Sequence, residues 1–183
     1  MMLIRHADPD RDGAACAAIY APSVTEGAAS LEERAPDPFE MALRIRAIAR
    51  DYPWLVAEVD DRVVGYAYAA RHHERAGYRW SADVTVYIDA DHHRRGIGRA
   101  LYAALFELLG RQGVWTVCAG IGLPNDSSVG LHESLGFEPV GVYREIAFKF
   151  GAWQSVGWWQ KQLRPRRDGR APDELLAPLR FDG

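Results

Sequence analysis

Cysteine is nearly missing from this chain: Cys16 and Cys118 are the two thiols among 183 residues. Two cysteines build no disulfide scaffold, and a reducing, cytoplasmic setting is the expectation. No run of about 20 apolar residues occurs, which argues against a helix that spans a membrane. The first residues, Met1-Met2-Leu3-Ile4-Arg5-His6-Ala7-Asp8, lack the long apolar centre of a signal peptide. An excess of positive charge is missing too. With 22 Lys+Arg against 25 Asp+Glu the formal net charge is −3, which speaks against a protein that holds nucleic acid by bulk electrostatics. There is no internal repeat, and no Gly-Lys-Ser/Thr tripeptide for a P-loop.

What is present suits a compact core, since 48% of positions are apolar. One domain is expected over residues 1–163, with a loosely ordered Arg- and Pro-rich tail over 164–183. A strand is predicted over 2–5. Asp8-Pro9 then reads as an N-cap with proline at the first helical position, opening a helix that runs out near Pro22. A loop follows to Pro36, and Asp37-Pro38-Phe39-Glu40 opens a second helix with a capping-box pattern. Residues 54–59 and 63–70 are β-rich runs around a turn, and 80–88 is a further strand. A helix carrying Leu101, Leu105, Leu108 and Leu109 comes next. The apolar run 114–121 is expected as a strand covered on both faces. A short helix over 126–135, closed by Gly136, precedes two last strands at 141–150 and 154–163. This order predicts an α/β fold, a mixed sheet with helices packed on it.

Two segments carry chemistry. In the first, Val84-Thr85-Val86-Tyr87-Ile88 ends a strand, and His92-His93-Arg94-Arg95-Gly96-Ile97-Gly98-Arg99 turns into a helix. Free backbone N–H groups and the positive end of the helix dipole converge there, which suits phosphate oxygens. Gly96 and Gly98 allow close approach of a ligand, and Arg94, Arg95 and Arg99 add local positive charge. This is not the dinucleotide fingerprint: Leu101 stands where its third small residue belongs, and no acid follows about 20 residues on. In the second segment, Gly122-Leu123-Pro124-Asn125-Asp126-Ser127-Ser128 leads from a strand into a helix. There Ser128 and His132 lie one turn apart on one face.

Together these segments resemble the GNAT superfamily of N-acetyltransferases. The residues Tyr52-Pro53-Trp54, Thr85-Val86-Tyr87, Ile121-Gly122-Leu123-Pro124-Asn125-Asp126, His132-Glu133 and Gly157-Trp158-Trp159-Gln160 are similar to phosphinothricin and methionine sulfoximine N-acetyltransferases. The resemblance implies a central, mostly antiparallel twisted sheet flanked by helices, acetyl-CoA as co-substrate with no metal, and direct acyl transfer to a small amino acid. It implies that Val86, Tyr87 and Ile88 hold the pantetheine arm, that the turn from Arg94 to Arg99 holds the pyrophosphate, and that Asn125 and Ser128 complete the cofactor contacts. His93 departs from the Gln or Arg usual there.

The family's catalytic glutamate is matched by Asp83, one methylene shorter, so relay of a proton through an ordered water is expected. In a regular strand Asp83, Thr85 and Tyr87 share one face. His132 matches a family histidine and is expected to relay a proton or protonate the leaving thiolate. Arg75 is expected to grip an acceptor carboxylate or phosphinate, with Thr85 and Leu31 as further substrate contacts. The adjacent pairs His72-His73 and His92-His93 point opposite ways in extended chain and make poor zinc clamps. Cys118 reads as core. A homodimer is implied, with neither nucleic acid nor membrane as partner. A peptide N-terminus as acceptor, or a non-catalytic acyl-CoA sensor, stays open as an alternative.

Overall fold

The computed structural model describes residues 1–165 and 172–179. Its elements are β1 (Met2–His6), α1 (Pro9–Thr25), α2 (Pro38–Ile48), β2 (Trp54–Val59), β3 (Arg62–Arg71), β4 (Ser81–Ile88), α3 (Ile97–Gln112), β5 (Thr116–Leu123), α4 (Asp126–Ser134), β6 (Glu138–Lys149) and β7 (Ala152–Gln162). Short 3-10 turns at Ala76–Tyr78 and Ala90–His92 flank β4. The seven strands form one sheet in the order β1-β2-β3-β4-β5-β7-β6. Every pairing is antiparallel except β4 with β5.

Local chemistry sets the helix starts. The Asp8 carboxylate accepts from the N–H groups of Asp10 and Arg11 ahead of Pro9. Asp37 and Glu40 exchange both bonds of a capping box. The first helix passes the expected stop at Pro22 and ends at Thr25. Proline removes one N–H, but the Pro22 carbonyl still accepts from Glu26 and closes the last turn.

The sheet separates two apolar layers. On one face Leu55, Ala57, Ala67, Val84, Val117, Ala119 and Ile121 pack against Leu101, Leu105, Leu108 and Leu109 of α3. On the other, Trp54, Val56 and Tyr66 pack against Cys16, Ile19, Tyr20 and Val24 of α1 and Met41 and Ile45 of α2. β2 is thus buried on both faces. β5, for which the same was expected, is not: Val117, Ala119 and Ile121 are buried, while Cys118 and Gly122 are half-buried and Gly120 is exposed. Under β1, Arg5 binds Asp12 through two bonds of 2.7 Å and Glu58 at 2.5 Å, a charge cluster that ties β1, α1 and β2 together.

Of the tail expected to be loose, residues 166–171 and 180–183 lie outside the described residues. Residues 172–179 are docked. The Trp80 indole donates to the Asp173 carbonyl at 2.8 Å, the Leu176 N–H to Gln112 at 2.8 Å, and Leu175 and Leu179 pack on the α3 layer. Apolar side chains within the polar tail give it a seat.

Candidate active site

The site begins where two strands part. β4 and β5 pair only at Ser81–Thr116, Ala82–Val117 and Asp83–Cys118. Beyond that rung β4 stays laced to β3 as far as Ile88, and β5 to β7 as far as Leu123. Their inner edges therefore diverge over 84–88 and 119–122, with backbone donors and acceptors left without a strand partner. A cavity of about 920 Å³ fills the gap and is lined by both edges. Such a slot suits a narrow ligand that carries amides of its own, and Val86, Tyr87 and Ile88 line it.

The glycine turn closes one end. The His93 ring N–H donates to the Ile88 carbonyl at 3.0 Å, Arg94 takes φ of 59°, and Gly96 takes φ of 79° at the N-cap of α3. Glycine adopts that left-handed geometry without a Cβ penalty. No side chain caps α3, so its first N–H groups face the cavity end. A Cβ at Gly98 would come within 3.3 Å of Leu131 Cδ2. Arg94, Gly96, Ile97, Gly98 and Arg99 line the cavity, and the Arg99 guanidinium donates to Ser134 Oγ at 2.9 Å. Arg95 is exposed and is not among the residues that line the cavity.

α4 forms the opposite wall. Asn125 is its N-cap, with Oδ1 accepting from the Ser128 N–H at 3.1 Å and from the Ser127 hydroxyl at 3.0 Å. The amide nitrogen of Asn125 is the part left to meet a ligand. His132 is buried at 3% exposure. Its Nδ1–H donates to the Ser128 carbonyl at 2.7 Å, so Nε2 accepts from the Tyr102 hydroxyl at 3.0 Å. Burial pushes the imidazole below its ordinary pKa, opposed by the Ser128 bond. His132, expected to relay a proton or protonate the leaving thiolate, has both ring nitrogens engaged and ties α4 to α3.

Asp83, Thr85 and Tyr87 point to the other face, toward α1 and α2, as alternation requires: Tyr87 packs with that layer and Val84 with the α3 layer. Asp83 stands at the vertex of the gap. Its carboxylate meets His72 Nδ1, at the end of β3, at 2.7 Å. Burial raises its pKa, and the His72 bond works against the rise. The Cys118 thiol is pushed up to about 11 by the same burial. One side-chain N, O or S atom from each of His72, Asp83 and Cys118 lies within 4.8 Å of the other two. Beside them Trp158 lies over Gly120, where a Cβ would come within 3.2 Å of the ring.

The loop between α1 and α2 roofs this face. Lys149 of β6 is 6% exposed and gives its ammonium to the carbonyls of Val24 at 2.6 Å, Gly27 at 3.1 Å and Ser30 at 2.6 Å. Gly122 lets the loop settle on β5, since a Cβ there would sit 2.5 Å from the Ala28 carbonyl oxygen. Leu31 lies on this loop at 36% exposure, and Thr85 and Ala29 line the cavity. Arg75, expected to grip the acceptor, is not on this cavity's wall. It lies in the exposed segment after β3 and lines a separate cavity of about 500 Å³ with Arg50, Arg71, Arg79 and Gln112.

Sequence reasoning missed His72, Lys149 and Tyr102 as parts of the site. A signal for the floor was present in the alternation Cys118, Gly120, Gly122 on a single strand face. Lys149 carried one too: it and Lys161 are the only lysines in a chain whose other cations are arginines.

A family model described as "Acetyltransferase (GNAT) domain" matches residues 9–158. A phosphinothricin N-acetyltransferase of Streptomyces viridochromogenes is 46% identical over 112 residues, and the match spans 61% of this chain and 61% of that protein's length. A phosphinothricin N-acetyltransferase of Alcaligenes faecalis is 40% identical over 159 residues, 84% of this chain and 79% of that one. The crystal structure of a GNAT superfamily phosphinothricin acetyltransferase from Sinorhizobium meliloti, in complex with AcCoA, superposes with a TM-score of 0.84 at 34% identity. The superposition covers 95% of this chain and 97% of that one.

Proposed function

The chain belongs to the GNAT acetyltransferase family, and on that premise we propose that it moves the acetyl group of acetyl-CoA to the amino group of a small amino acid or analogue of the phosphinothricin or methionine sulfoximine type. The observation that carries this reading is the gap between β4 and β5. It joins an uncapped, glycine-lined helix start at one end to a face floored by Gly120 and Gly122 at the other. The helix start suits the pyrophosphate, the strand edges suit the pantetheine amides, and the open face suits the amine.

Bound acetyl-CoA supplies the activated acyl carbon. The chain's residues orient and polarise: N–H groups of the β4 edge near Tyr87 face the thioester carbonyl, and Asn125 and Ser128 steady the arm from α4. The Asp83 end of the site takes the proton that the acceptor nitrogen must lose. His132, held neutral, acts by position, keeping Tyr102 and Ser128 on the cavity wall.

The pairing is proposed to be a homodimer of a cytoplasmic enzyme. Val142, Tyr143, Ile146, Phe148 and Trp153 on the β6–β7 hairpin are 43% to 61% exposed, an apolar surface suited to a second copy. Release of CoA thiol measured across phosphinothricin, methionine sulfoximine, methionine sulfone and the natural amino acids tests the function. Turnover confined to small amino acids or their analogues is expected. Tight acetyl-CoA binding with no turnover on any acceptor would refute the reading.

A further inference from the structure

We propose that the imidazole of His72 is the group that accepts the acceptor's proton, with Asp83 as its positioning residue; this rests on the acetyltransferase reading and deepens it. Asp83, at the vertex of the gap, is one methylene shorter than a glutamate, and the structure puts an imidazole at one oxygen of its carboxylate. His72 Nδ1 lies 2.7 Å from Asp83 Oδ1. A carboxylate only accepts, so Nδ1 carries the proton and the lone pair of the neutral ring stands on Nε2. An aspartate that fixes one nitrogen of a histidine so that the other works as a base is a recurrent arrangement.

The surroundings leave the ring partly open beside the cavity. The His72 side chain is 27% exposed, neither sealed like His132 nor free in solvent. Its ring stands edge-on to Trp158, with centroids 6.2 Å apart, and Trp158 covers Gly120, a residue of the cavity wall. The pair thus lies beside that wall, at the last rung that β4 and β5 share. The groups that face it are Cys118 from β5, Trp158 from β7 and Tyr78 from the turn after β3, whose ring centroid is 5.9 Å away. The Asp83 charge in turn acts on Tyr52, just before β2, and on Tyr68 of β3, helping to raise both phenols. Burial keeps Cys118, Tyr52 and Tyr68 protonated at neutral pH, so none of these three competes as a base.

The step balances as follows. The acceptor ammonium gives one proton to Nε2, the freed lone pair forms the C–N bond to the thioester carbonyl carbon, and the C–S bond breaks. Of the two protons the nitrogen loses, one passes through His72 to solvent and the other ends on the departing sulfur.

His72→Gln, His72→Ala and Asp83→Asn test the assignment in the full chain, with acetyl-CoA affinity and thermal melting as controls for the fold. For His72→Gln a fall in kcat of about 100-fold or more is expected, with acetyl-CoA affinity held and the acid limb of the kcat/KM profile against pH removed. Added imidazole should restore part of the His72→Ala rate, and Asp83→Asn should slow turnover and displace the limb. An active wild type whose rate and acid limb survive in His72→Gln overturns the role of His72 and leaves the acetyltransferase reading standing. A wild type inert toward every acceptor removes both.

Discussion

Replacing Lys149 by methionine removes a buried ammonium that three carbonyls share. The Val24, Gly27 and Ser30 oxygens sit 2.6, 3.1 and 2.6 Å from Nζ, and the side chain is sequestered by the loop it holds. A hydrogen bond to a charged group contributes about 1.5–3 kcal/mol, and three of them gross about 5–9 kcal/mol. Against this stands the cost of dehydrating the ammonium, several kcal/mol. Methionine keeps the stem's apolar packing, and the loop can turn some of the orphaned carbonyls to water. The net loss is about 3 kcal/mol. For a domain of this size that lowers Tm by about 6–12 °C. The same loop roofs the acceptor face, so the acceptor KM should rise about tenfold while acetyl-CoA affinity, set by the glycine turn at the other end, stays level. Lys149→Arg should fall between, because a planar fork does not meet three oxygens converging on one point. Differential scanning calorimetry and steady-state kinetics read both effects. A variant melting within 2 °C of wild type, with an unchanged acceptor KM, would falsify the claim that this lysine holds the roof.

Other perturbations follow from single contacts. Gly122→Ala must displace the Ala28 carbonyl, 2.5 Å from the new Cβ, and should cost about 1–3 kcal/mol and raise the acceptor KM; Gly27→Ala, with nothing within 4 Å, should melt like wild type. His132 has a lowered pKa in the fold, so the unfolded chain binds a proton that the fold refuses. Stability contributed by the neutral ring is full above the ordinary value near 6.5 and is lost as pH falls below it. Melting curves between pH 7.5 and 5.5 should slope less in His132→Gln, and parallel slopes would contradict this. Arg5→Met leaves Asp12, 1% exposed, without its guanidinium and should cost about 3–5 kcal/mol by chemical denaturation. The Arg5 bond holds the Glu58 carboxyl below its usual pKa, so its stabilisation is present above about pH 4.3 and is lost as pH falls through the lowered value. The acid branch of the stability curve should be shallower in the variant.

How far the site could be read in advance depended on how local each part is. The glycine turn is contiguous in the chain, and its chemistry follows from residue types alone: Gly96 at φ of 79° and the uncapped start of α3 are properties of that stretch. The same holds for the caps at Asp8, Asp37 and Asn125. His72 was weighed only as half of an adjacent histidine pair. Its partner stands on the next strand, 11 residues on, and pairing across strands is invisible to spacing along one. Lys149 reaches carbonyls 119 to 125 residues away. Arg75 went the other way: its motif placed it by family, and the path of the chain after β3 carried it to a different cavity.

The low net charge and scarce cysteine excluded whole classes of protein, and strand, helix and turn order followed from periodicity and capping, which act over a few residues. A basic glycine turn survived inside a chain of net charge −3 because a helix start needs only local N–H groups to attract a phosphate. Those things the chain determined by itself. Where β4 leaves β5, which imidazole meets Asp83, and which ammonium pins the roof were decided only when the strands were assembled. They depend on atoms brought within about 3 Å from distant parts of the chain, and a hydrogen bond exists only at that distance, whatever the spacing in sequence.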